Sequence, residues 1–97
     1  MAAALDPDFL PMPWVGGSDA ELLCALALRD EDALRELHRR YAPAVYALAH
    51  RTQVANLDQG VQDAFLAIWR HAECHSRSCL DARTWMLILA HRSLRPA

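Results

Sequence analysis

The sequence predicts an all-α domain, a small bundle of about four helices, and three observations carry that expectation. Apolar residues recur every three or four positions, as in Leu34, Leu37, Tyr41, Val45 and Leu48, and again in Val61, Ala64, Phe65, Ile68 and Trp69. That spacing puts them on one face of a helix. Side chains suited to capping helices stand ahead of the periodic stretches. Nowhere does the chain alternate apolar and polar residues as a strand exposed on one face would.

Residues 1–17, with Pro7, Pro11, Pro13, Gly16 and Gly17, read as a flexible N-terminal leader in which Phe9, Met12 and Trp14 are able to pack onto the domain. A helical domain is expected over 18–95. Ser18-Asp19-Ala20-Glu21 is a capping-box pattern, with Ser18 bonding the amide three residues on and Glu21 reaching back. A short helix follows to about Ala27, with Cys24 on its apolar side and hence in the core. Asp30 is the expected cap of a longer second helix, where Glu31 and Asp32 suit the positive first turn. Pro43 lies inside it. Because the apolar period resumes at Val45, the missing amide predicts a kink and not a stop. Thr52 to Leu57 is read as a connector, with Asp58 as cap of the third helix and Gly60 weakening its first turn. Glu73 to Leu80 is polar and aperiodic, a loop. Asp81 then caps a fourth helix whose buried side is marked by Trp85, Ile88 and Leu89.

The 97 residues are 54% apolar and 23% charged, which suits one modest core. No apolar run reaches the ~18 residues a membrane span needs, and acids stand where a signal peptide would be basic. A cytoplasmic protein without membrane contact is expected. Charge is uneven along the chain. Residues 1–36 carry eight acids against two arginines, and residues 37–97 carry eight arginines against four acids together with all five histidines. A basic second half is compatible with phosphate binding. Three cysteines, an odd number, suggest reduced thiols and no disulfide framework.

Four blocks, in order and at consistent spacing, then resemble region 2 of the sigma-70 superfamily, most closely the extracytoplasmic-function sigma factors. They are Asp19-Ala20-Glu21-Leu22-Leu23 with Arg29 to Leu34; Leu37 to Ala49 with its internal proline; Asp58 to Trp69; and Arg83-Thr84-Trp85-Met86-Leu87-Ile88-Leu89-Ala90. The resemblance covers about three quarters of the chain. It implies a third helix that docks on the coiled coil of the largest subunit of bacterial RNA polymerase core. The matching residues are Asp58, Gln62, Asp63 and Leu66, a helix face laid against helices. It also implies that the Glu73–Leu80 segment and the fourth helix meet melted, single-stranded −10 promoter DNA. Such a strand needs stacking groups and a basic track. Arg77, Arg83, Trp85, His91 and Arg92 are the candidates, with Arg95 beyond them.

The departures qualify this. Arg92 stands where the family has an asparagine, and the sequence offers no counterpart of the helix-turn-helix domain, region 4, that reads the −35 element. The alternative is a module, or a truncated sigma remnant, that binds polymerase or an anti-sigma factor without reading DNA. No enzyme is expected, since no nucleophile stands with a base and no phosphate-cradling glycine loop is present. No cofactor is implied. His71, Cys74, His75 and Cys79 fall within nine residues and are the candidate ligands of a zinc or thiol sensor. They lack a Cys-x-x-Cys knuckle, and no metal site is predicted.

Overall fold

In the computed structural model, which describes Trp14 and residues 16–96, Ser18 caps α1 (Asp19–Ala27) through the reciprocal pair expected of it. The Glu21 amide donates to Ser18 Oγ at 3.1 Å and the Ser18 amide donates to Glu21 Oε1 at 2.8 Å. Arg29, in the left-handed region at φ 66°, turns the chain. Asp30 then accepts the amides of Asp32 and Ala33 to open α2 (Glu31–Thr52), which runs through Pro43 without ending. Next come α3 (Leu57–His71), a 3-10 helix (Ala72–Arg77) and α4 (Ala82–Ser93), the last capped by Asp81. Among the described residues there is no strand, and no helix is long and apolar enough to cross a membrane. The fold is the all-α bundle that periodicity implied.

α3 packs against both α2 and α4, while α1 sits across α2 and the 3-10 helix. Leu22, Leu23, Leu26, Leu37, Val45, Val61, Ile68 and Met86 are among the side chains sealed between these helices. Each contributes on the order of 1.5–3 kcal/mol by leaving water. Gly60 has a packing reason to be in α3. A Cβ there would lie 3.2 Å from Val54 Cγ2 and 3.2 Å from Leu94 Cδ2, so its bareness lets the residue after α4 close on the start of α3.

Four sequence expectations are corrected. Cys24 is exposed, because Leu22, Leu23, Ala25 and Leu26 take the inward positions of α1. Asn56, and not Asp58, caps α3: its side chain accepts the Gln59 amide at 3.1 Å, which leaves Asp58 in the first turn. Most of the expected Glu73–Leu80 loop is wound into the 3-10 helix, seated by buried Ala72. On α4 the buried residues are Ala82, Met86 and Ala90; Trp85 and Leu89 are only half-buried and Ile88 is exposed.

Phe9 and Met12 lie outside the described residues. Trp14 packs against the core cluster, its indole donating to Asp30 Oδ2 at 3.2 Å and its carbonyl accepting from Arg40. Arg40 also pairs with Asp19 and with Glu36. Glu36 is the one buried charged residue among those described, at 2% exposure. Hydrogen bonds first from Arg39 and then from Arg40 hold its carboxyl at about 2. A carboxyl that titrates near 4.3 in the unfolded chain then supports the fold fully above that value and loses its contribution as pH falls toward 2. Thermal melts followed by circular dichroism between pH 6 and pH 2 should show the wild type losing more stability than Glu36→Gln. Parallel pH curves for the two would refute this role of Glu36.

Candidate functional site

The outward face of α3 is built by the same periodicity that buries its other side. Val61, Ala64, Phe65 and Ile68 point inward, so Asp58, Gln62, Asp63 and Leu66 are all left on the surface. Asp58, Gln62 and Leu66 border one hollow of about 320 Å³ between α2 and α3, floored by Leu34, Val61 and Phe65. α2 supplies the opposite wall with Arg35, His38 and Tyr46. His38 packs on Phe65 with ring centroids 4.6 Å apart. The Tyr46 hydroxyl donates to Asp58 Oδ1 at 2.5 Å, and that bond, with some burial, raises the tyrosine pKa. Asp63 faces the neighbouring flank, where it accepts from Gln59 Nε2 at 2.9 Å and borders a smaller hollow with Asn56 and Arg95.

Three of the four residues read from α3 are thus brought together and the fourth stands beside them. Arg35, His38 and Tyr46 were missed. Tyr46 carried a signal: it is an aromatic residue off the Leu37–Tyr41–Val45 stripe, and so without a place in the core.

The candidates on the basic side divide between two places. Arg83, His91 and Arg92 line a larger groove, about 580 Å³, between α2 and α4, together with Arg51, which the sequence reading did not single out. Arg83 also lies over the Tyr41 ring at 5.8 Å. Trp85 is not in the lining of that groove; it is half-buried, in edge contact with His75. Arg77 is exposed at the end of the 3-10 helix. His75 Nε2 lies 3.2 Å from the Leu80 carbonyl. Among the described residues no three His, Cys, Asp or Glu side chains gather as metal ligands, and Cys24, Cys74 and Cys79 are exposed free thiols.

These features define an all-α domain that buries one face of each helix and offers a mixed polar and apolar face on α3. Two curated relatives say what it is similar to. The extracytoplasmic-function RNA polymerase sigma factor SigK of Mycolicibacterium vanbaalenii and the protein of the same name from Mycobacterium sp. (strain KMS) are each 31% identical over 83 residues. The match covers 84% of this chain but 42% and 43% of those proteins, so the chain spans about two fifths of their length. No family model and no solved structure matches the chain. The resemblance drawn from the sequence therefore holds: the chain carries a sigma-factor region of the extracytoplasmic-function type.

Proposed function

We propose that this domain is a transcription-initiation module that binds bacterial RNA polymerase core through the α3 face, around Asp58, Gln62, Asp63 and Leu66. The observation that carries the reading is the division of α3 itself. Its apolar stripe is consumed by the core, and the opposite face holds an exposed leucine among hydrogen-bonding groups beside a hollow. A coiled coil would find there both an apolar contact and polar partners. Melted −10 promoter DNA is the second ligand under this reading, met by Arg77, Arg83, Trp85, His91 and Arg92.

A second reading is an interaction module that binds polymerase or an anti-sigma factor without reading DNA. It is favoured by the separation of Trp85 and Arg77 from the α2–α4 groove, since a base-reading site needs stacking and charge together.

The test is retention of purified core polymerase by the tagged protein, with Asp63→Arg as its pair. Wild type should retain polymerase and the charge reversal should lose it, a drop of roughly 30-fold or more if Asp63 is a central contact. Retention unchanged by Asp63→Arg sinks the assignment of this face. Binding to non-template −10 oligonucleotides that weakens steeply with salt favours the DNA-reading form over the second reading.

A further inference from the structure

The groove between α2 and α4 has a composition that its arginines alone do not explain. Its floor is aliphatic: Ala44, Ala47 and Leu48 from α2 face Leu87 and Ile88 from α4. Ile88 is 39% exposed and Ala47 is also exposed, so the floor is open to a ligand. Arg51 edges it on the α2 side, and Arg83 and Arg92 on the α4 side. No acidic side chain and no Phe, Tyr or Trp lines it; His91 is its one aromatic ring. Arg51 and Arg92 take part in none of the ion pairs among the described residues, whose acids pair with Arg35, Arg39 and Arg40.

We infer that this groove is a docking site for an acidic amphipathic helix of a partner protein. Two helices side by side leave a channel shaped for a third, and the small Ala44 and Ala47, one turn apart, allow a close approach. Leucine-sized side chains would fill the aliphatic floor. Carboxylates on both edges of the incoming stripe would meet the arginines on opposite rims, which fixes the ligand's charge as well as its periodicity. Arg83 and Arg92 stand nine positions apart on α4, about 14 Å at 1.5 Å per residue, so two to three turns of ligand helix suffice. A single nucleic-acid strand fits less well. Bases gain affinity by stacking on aromatic faces, and the lining supplies only the small His91 ring. The site is separate from the α3 face and does not rest on polymerase docking; it shares Arg83, His91 and Arg92 with the DNA contact of the first reading, so a helix and a DNA strand would exclude one another there.

Fluorescence anisotropy with defined probes tests this on the full chain. The probes are a labelled acidic peptide of about three turns with leucines at i, i+3, i+4 and i+7 flanked by glutamates, its scrambled form, its lysine-for-glutamate form, and an oligothymidylate. The acidic amphipathic peptide should bind saturably, and the scrambled and lysine forms at least tenfold more weakly. Arg51→Glu/Arg92→Glu should weaken the acidic peptide roughly tenfold, the size that two rim ion pairs give together. Ile88→Glu should do the same. Leu66→Arg, on the α3 face, should leave it unchanged. All these positions are exposed, and circular dichroism checks that the variants fold. Equal binding of the ordered and scrambled peptides would reduce the groove to a diffuse positive surface and overturn the proposal. So would binding of the oligothymidylate alone, lost in Arg51→Glu/Arg92→Glu, which would make the groove a nucleic-acid track. Binding of no probe overturns it as well.

Discussion

Leu37→Ala should lower the unfolding free energy by about 2–5 kcal/mol, the cost of a cavity in a packed core. Leu37 is fully buried on α2 and belongs to the single core cluster that α2 shares with the other helices. α2 packs against α1, α3 and α4, so a cavity under it loosens every helix pair at once. Alanine's better helix propensity returns only a few tenths of a kcal/mol. For a domain of this size each kcal/mol is worth about 4–8 °C, so Tm should fall by at least about 8 °C. Cys24→Ser is the matched comparison. The thiol is exposed, and the change should stay within about 0.5 kcal/mol. Chemical denaturation of the three proteins would decide. A Leu37→Ala cost below about 1 kcal/mol, or a Cys24→Ser cost as large as that of Leu37→Ala, would contradict the packing described for α1 and α2.

That comparison also shows where the sequence was legible. The caps at Ser18, Asp30 and Asp81 were readable because capping is local: a short polar side chain meets amides two or three residues on. The stripes on α2 and α3 were readable because charged residues interrupt them and leave one apolar face. α1 and α4 lack that contrast. From Leu22 to Ala27 and from Trp85 to Ala90 every residue is apolar, so any rotation of the helix presents an apolar face. The burial of Met86 over Ile88, or of Ala25 over Cys24, is then decided by which neighbour lies across from it, which periodicity does not encode. Asp58 was taken for a cap on residue type, but Asn56, two places earlier, has the same capacity and reaches the Gln59 amide. The polar run after α3 is wound into a 3-10 helix that packs against α1 with Ala72 as its one buried residue, too small a signal to read.

The candidate site follows the same logic. Gln62 and Asp63 were readable as the remainder of a clean stripe and Leu66 through the family resemblance, whereas Tyr46, His38 and Arg35 became part of the site only when α2 lay alongside α3. The α2–α4 groove was half legible. Arg83, His91 and Arg92 stood out by charge, but its aliphatic floor requires Ala44 and Ala47 of α2 to face Leu87 and Ile88. Composition could flag the arginines but not the aliphatic surface that lies between them.

Leu66→Arg is expected to separate binding from stability more sharply than any other change on α3. Leu66 is 36% exposed at the edge of the hollow, whereas its neighbour Phe65 is 5% exposed and packed under His38. An arginine at 66 can extend into water and keep its stem along the hollow, so the cost to folding should be less than about 1 kcal/mol. At a docked helix the same substitution removes an apolar contact and places a charge where water is excluded. Such central positions typically cost 2 kcal/mol or more, about 30-fold in affinity. Phe65→Ala should behave oppositely, losing about 3–5 kcal/mol of stability through its buried ring, and lowering polymerase retention only as the folded fraction falls. Measuring Tm and polymerase retention on both variants separates the two effects. If Leu66→Arg kept full retention while folded, the exposed leucine would be an ordinary surface residue and the docking face would have to lie elsewhere. If it lost retention with Tm unchanged, the polar side of α3 would be established as the part of this fold that meets its partner.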